Sequence, residues 1–312
     1  MKTMLARGLR GFGQACGLVL MLVLAMPAPA QEAATPEALR ARFEQLRSGP
    51  PSPFGIPLYI RSSQTSDTLA GTVYSQIDVP FKAAREGLRE PAQWCDILML
   101  HPNVAACSVT DAAKPSLTVL LGSMEQAAQF SYGVVAASTD FLDVRLHTAS
   151  GPLGTSDYRF RVQATALDAQ RTLLSLAYSH GFGLRAKFAM QSYFATLGRG
   201  KSGFTVIDQT ASGEPVHIDG LRGGMERNAM RYYLAIEAAL NQRAAPPGQR
   251  LERSFRRWMT QIERYPQLDE EPGYVERKRG EIERYLAARP DPQQHASRHA
   301  SPALDTGKEP GR

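Results

Sequence analysis

The stretch "FLDVRLHTASGPLGTSDYRFRVQATALDAQRTLLSLAYSH", Phe141 to His180, holds three runs rich in β-branched, leucine and aromatic residues. The first two are separated by "ASGPLGTSD", Ala149 to Asp157, which reads as a hairpin loop because Gly, Pro, Ser and Asp supply turn geometry. Upstream, "LAGTVYSQIDV", "SLTVLLGS" and "QFSYGVVAAS" have the same character, and their spacing suits a meander. Together these runs predict an antiparallel sheet.

Helices bracket the sheet. After the first strand come "PFKAAREGL", with Pro80 at a favourable start, and the segment Trp94 to Leu100. After the last strand comes "LRAKFAMQSYFATL", and then a longer helix, "GGMERNAMRYYLAIEAALNQR", Gly223 to Arg243, halted by "AAPPG". Beyond that linker, "RLERSFRRWMTQIERY" and "GYVERKRGEIERYLAAR" are charged helices with thin apolar stripes, expected to pack on the main domain. The fold class expected is therefore α+β, with no internal repeat.

The order strand, two short helices, antiparallel strands, long helix resembles the helix-grip fold of the START-like lipid-binding superfamily, over about Leu69 to Arg243. "GTVYSQIDVPFKAAREGL" and "WCDIL" look like that family's first strand and short helices. The resemblance implies a curved antiparallel sheet wrapped around the long C-terminal helix, with an elongated apolar cavity between them. The chain departs from the pattern in carrying "GRGKSGFTVIDQTASGEPVHIDG" before the long helix, and in its extra C-terminal helices.

The N-terminus bears on compartment. Lys2, Arg7 and Arg10 precede the apolar run "GLVLMLVLAM", which ends in an A-x-A site at Ala28-Pro29-Ala30. That is the layout of a secretory signal, too short to span a bilayer, so export to the periplasm with cleavage before Gln31 is expected. Cys16 leaves with the signal, and Cys95 and Cys107 remain. Two cysteines in an exported chain most simply form one disulfide; zinc would need further ligands, and a thiolate enzyme a special environment. The chain as a whole looks like an exported bacterial protein.

The expected organisation is a signal peptide over 1–30, a helix and Pro-rich connector over 31–55, the helix-grip domain over 56–243, a helical extension over 244–289 and a polar, Pro-rich disordered tail over 290–312. The formal net charge of +6 falls to +3 once Lys2, Arg7 and Arg10 are removed. A charge so mild gives no case for nucleic acid.

Several motifs fail on context. "ATLGRGKS", Ala195 to Ser202, fits a loose P-loop pattern, but helix precedes it and strand follows, the reverse of what a P-loop requires. "GFGLRA", Gly181 to Ala186, half-matches a dinucleotide fingerprint without a βαβ unit to hold it. No HExxH, G-x-S-x-G or CxxC occurs. Asp157 and His180 can be imagined as a relay, though nothing in their spacing requires it. No cofactor and no metal is expected.

Candidate site residues cluster on the long helix. Arg227 and Arg231, four apart on one face, repel each other unless an anion lies between them. Two readings stand open: a network with Glu226, Asp140 or Asp143, or a clamp for a carboxylate or phosphate headgroup, which guanidinium forks match. Asn228 and Tyr232 occupy a neighbouring sector, and His101 and Asp96 lie beside the cysteines as pocket or structural residues. The expected function is binding of a lipid or other elongated hydrophobic molecule between sheet and helix. An enzyme using His101, Asp96 or Glu226 as acid or base in the same cavity is the alternative. A third is a non-catalytic envelope protein whose basic C-terminal helices touch a partner or an anionic membrane.

Overall fold

Eight strands form one antiparallel sheet in the order β1-β2-β8-β7-β6-β5-β4-β3. They span Leu58–Gln64 (β1), Thr68–Ile77 (β2), Val104–Thr110 (β3), Ser116–Leu121 (β4), Gln126–Ala137 (β5), Phe141–Ser150 (β6), Thr155–Ala166 (β7) and Thr172–Phe182 (β8). The computed structural model describes residues 35–110, 114–122, 126–196, 198–270 and 272–289. The proposed signal and C-terminal tail lie outside these residues. The connection from β2 to β3 runs through two short helices, α2 (Phe81–Leu88) and α3 (Pro91–Met99). After β8 come α4 (Leu184–Ala195), the small hairpin β9 (Val206–Gln209) and β10 (Pro215–His217), and the 22-residue helix α5 (Gly220–Asn241).

The sheet grips α5. Buried residues alternate along β2, and α5 is buried on nearly every side from Met225 to Leu240. Gly71 of β2 sits where the helix presses closest: a Cβ there would lie 3.2 Å from Ala229 Cβ and from Met225 Cγ. One turn on, the Tyr233 hydroxyl donates to Ser75 Oγ of β2 at 2.9 Å. These contacts make the fold an α+β helix-grip, with α5 as the gripped helix.

The convex face is covered by α1 (Pro36–Arg47), capped by Thr35, whose hydroxyl accepts from the Ala38 N–H at 3.2 Å. Leu39 and Phe43 pack on Phe141 and Leu173, and Arg40 bonds Thr165 and the Ala166 carbonyl. This helix, expected as a prelude to the domain, is thus fastened to its sheet.

The extension covers the side of α5 away from the sheet. In α6 (Pro247–Ile262), Phe255 and Trp258 are fully buried, and Arg257 pairs with Glu237 of α5 at 2.5 Å. In α7 (Tyr274–Ala287), Lys278 is completely buried and donates to the His101 and Val104 carbonyls at 3.0 and 2.7 Å. Beneath it Cys95 and Cys107 form a disulfide, joining α3 to β3. "ATLGRGKS" lies where α4 ends and before β9, helix then strand, as its flanks predict.

Candidate functional site

At 3.6 residues per turn, Met225 and Ala229 face β2, which places Arg227 and Arg231 on the opposite side of α5. Arg231 is matched there. Its Nε donates to Glu270 at 2.7 Å and its Nη2 to the Leu268 carbonyl at 3.4 Å. Burial pushes the Glu270 carboxyl up despite the cation beside it. None of the neutralisers suggested by sequence fills this role: Glu226 is used elsewhere, Asp143 takes Arg145 and Arg161, and Asp140 takes the Ser138 hydroxyl.

Arg227 is different. It is 5% exposed, its Nε and Nη1 are buried with no hydrogen-bond acceptor among the described residues, and its guanidinium lies 6.0 Å from the centroid of the Phe194 ring. Burial first, and then the Arg231 charge, lower its affinity for the proton. Buried charged donors carry a large cost when unpaired, so Arg227 stands apart from the matched Arg231 beside it.

Helix α4 roofs this site. Phe194 at its C-terminal end presses on Gly224 so closely that a Cβ there would lie 2.6 Å from the ring. At the other end Ala186 is buried in the core, and Met190 packs against it. Asn228, half-buried and one residue on from Arg227, lies on the α5 sector between the arginine and that core.

Between the sheet and α5, rings pack on one another in the core. Tyr232 stacks on His101 at 4.0 Å and meets Phe160 edge-on at 4.8 Å and Tyr178 at 5.3 Å; Tyr158 stacks on His180 at 5.0 Å. Tyr158 and Phe160 of β7 and Tyr178 and His180 of β8 occupy alternate positions, so the pleat directs them to one face, where Tyr232 of α5 and His101 meet them. Burial raises the phenol pKa of Tyr158, Tyr178 and Tyr232 and lowers the imidazole of His180. These groups are neutral hydrogen-bonding tips on apolar bodies.

His101 borders both regions. Burial, then the Arg231 and Lys278 charges, hold it well below the ordinary 6.5. Its Nδ1 accepts the Asn103 N–H at 3.2 Å, so the single ring proton sits on Nε2, a buried atom without a partner among the described residues.

The remaining candidates are committed to structure. Asp96 accepts from Tyr285 and pairs with Arg289, both at 2.9 Å, which ties α3 to α7; burial raises its carboxyl. Glu226 is fully buried and accepts four hydrogen bonds, from Ser62 Oγ, Thr205 Oγ1 and the Phe204 and Thr205 N–H groups, at 2.6 to 2.9 Å. Asp157 is engaged with His147 and Arg159, while His180 contacts the Gly181 carbonyl, so they form no relay. Of the three acid or base candidates, His101 keeps a buried atom without a partner among the described residues, and that atom is a donor. Among the described residues no group of three or more His, Cys, Asp or Glu could hold a metal. A separate cleft of about 500 Å³ opens against the extension, with Glu270 and Tyr274 in its wall.

Sequence reasoning named Tyr232 and His101 but missed Glu270, Phe194 and the sheet rings Tyr158, Phe160 and Tyr178 that surround them. Only the last had a signal, the aromatic residues at alternate positions in "YRF" and "YSH".

No family model and no curated protein matches this chain. Among solved structures, truncated norcoclaurine synthase from Thalictrum flavum is 9% identical with a TM-score of 0.33, over 44% of this chain and 91% of that one. A conserved protein of unknown function from Enterococcus faecalis is 8% identical with a TM-score of 0.32, over 74% of this chain and 98% of that one. A conserved protein from Geobacillus kaustophilus is 13% identical with a TM-score of 0.30, over 42% and 85% of the two chains. Superpositions this loose carry no functional argument. The helix-grip assignment rests on this chain's own strand order and on the seating of α5.

Proposed function

We propose that the protein is a binding protein for an amphipathic hydrophobic molecule, such as a lipid, whose anionic headgroup is held by Arg227. The observation that carries this reading is the buried guanidinium with two unpaired donors beside the matched Arg231–Glu270 pair. Asn228 and the His101 Nε2 proton are further donors toward the same ligand. The apolar part enters beneath α4, past Met190 and into the ring-packed space between sheet and α5. Rings occupy that space at van der Waals contact, so loading requires Tyr178 and Tyr232 to change rotamer and α4 to lift. Periplasmic location, expected from the first thirty residues, belongs to this proposal.

A binding role is favoured over an acid–base enzyme because Glu226 and Asp96 are spent on structural bonds. The test is to titrate the purified protein with a long-chain fatty acid and with its methyl ester. The acid should bind roughly tenfold or more tightly, since a charge-assisted hydrogen bond contributes about 1.5 to 3 kcal/mol. Equal affinities for acid and ester, or no binding of either, would remove the proposal.

A further inference from the structure

The outer face of α4 is at odds with its surroundings. Leu184 and Phe188, four residues apart on one side of the helix, are 87% and 73% exposed. Ala186, two residues from each, is buried, so the outward side of this helix is its more apolar one. Exposed Leu153 adds to the same area, because the turn that carries it packs against α4, with the Gly183 N–H donating to the Gly154 carbonyl at 3.4 Å. Isolated exposed leucines need no explanation, but a cluster of large ones marks a contact surface.

The charge around this face identifies the contact. Between Asp168 and Asp208 the chain has no acidic residue and five cations; Arg171 is paired with Asp168 at the far end of β8, and Arg185, Lys187, Arg199 and Lys201 lie on or just after α4. Arg185 and Arg199 are exposed, at the two ends of α4, and Lys187 is half-buried on it. Of the acids on packed elements, Asp157 is paired with Arg159 and His147 and Glu226 is buried under four hydrogen bonds, which leaves Asp67 and Asp219 against Arg185, Lys187, Arg199 and Lys201. Large apolar side chains beside an excess of cations are what an interfacial helix presents to a negatively charged bilayer. We propose that the outer face of α4, centred on Leu184 and Phe188 and framed by Arg185, Lys187 and Arg199, docks the protein on a lipid bilayer carrying anionic headgroups. The inference is independent of what Arg227 binds.

The experiment is vesicle co-sedimentation of the purified protein, with phosphatidylcholine vesicles and with phosphatidylglycerol-containing ones. Binding should require phosphatidylglycerol and weaken as salt rises. The double change Leu184→Ser and Phe188→Ser should lower partitioning tenfold or more. Arg185→Glu should lower it about fivefold or more, from the usual contribution of one basic residue near a charged surface. Both variants alter exposed positions, so their melting temperatures should match the parent and exclude misfolding as the cause. Equal binding to both vesicle types, or variants that bind like the parent, would overturn the proposal. So would a double variant that turns a dimer into a monomer in sedimentation velocity while vesicle binding stays the same, since the face would then belong to a second copy of this chain.

Discussion

Glu226 offers a sharp test of how the region after α4 is held in place. Its four hydrogen bonds fasten β1, through Ser62, and the Phe204–Thr205 segment onto α5. The fit is tight enough that a Cβ on Gly203 would lie 2.6 Å from Glu226 Oε2. Glu226→Leu removes all four acceptor positions at similar volume. The two hydroxyls can rotate to other partners, but the Phe204 and Thr205 N–H groups cannot. Each stranded N–H costs about 1 to 3 kcal/mol, so the loss centres on roughly 4 kcal/mol. At about 2 to 4 °C per kcal/mol for a chain of this size, the melting temperature should fall by roughly 8 to 16 °C. Glu226→Gln keeps the geometry, because its amide oxygen can face the two N–H groups while its NH2 donates to the hydroxyls. It should cost less than half as much. Thermal unfolding followed by circular dichroism measures both, and hydrogen exchange at Phe204 and Thr205 should accelerate only in the leucine variant. A leucine variant that melts within about 3 °C of the parent, or no lower than the glutamine variant, would refute the clamp.

Further expectations follow from named contacts. Thiol labelling of the denatured, unreduced protein should find neither Cys95 nor Cys107 free, and replacing both with serine should destabilise the fold by about 3 kcal/mol, the chain-entropy value for a loop of this length. Arg231→Gln should cost about 3 to 5 kcal/mol in a denaturant titration, because it strands Glu270 with burial opposing its charge, and should leave any acid-over-ester preference unchanged. For His101 the imidazole is depressed in the fold, so the unfolded chain binds more protons below its ordinary 6.5 and stability falls as pH drops through that value. His101→Phe retains the ring on Tyr232 and should remove up to about 1.4 kcal/mol of that loss per pH unit, read as the difference between the two stability–pH curves; parallel curves would show that His101 protonates freely in the fold.

The meander was readable because its strands are short runs of β-branched and aromatic residues set off by turn residues at meander spacing. Both edge strands were not. β1 trails off into Arg61, Ser62, Ser63 and Gln64, and β3 lies inside the cysteine stretch, where attention goes to Cys107 and His101. Edges need fewer apolar residues, so their periodicity is weak. At the site, the four-residue spacing of Arg227 and Arg231 pointed to an anion but not to which one. Glu270 lies 39 residues from Arg231, in a segment whose docking on α5 leaves no local pattern. The same spacing placed both arginines on one face, yet only the docked extension separates a matched Arg231 from an unmatched Arg227. His101 drew notice as a neighbour of the cysteines, whereas its role as a donor depends on Asn103 N–H occupying Nδ1, a turn contact invisible in residue types.

The most direct measurement of the central claim is the effect of Arg227→Gln on the binding of a fatty acid beside that of its methyl ester. Removing an unpaired buried cation relieves desolvation, so the melting temperature of the unliganded variant should hold or rise. Affinity for the acid should fall roughly tenfold or more while the ester is unaffected. A variant that binds acid and ester as the parent does, or that loses both equally with a lowered melting temperature, would contradict the assignment of Arg227 as the headgroup site.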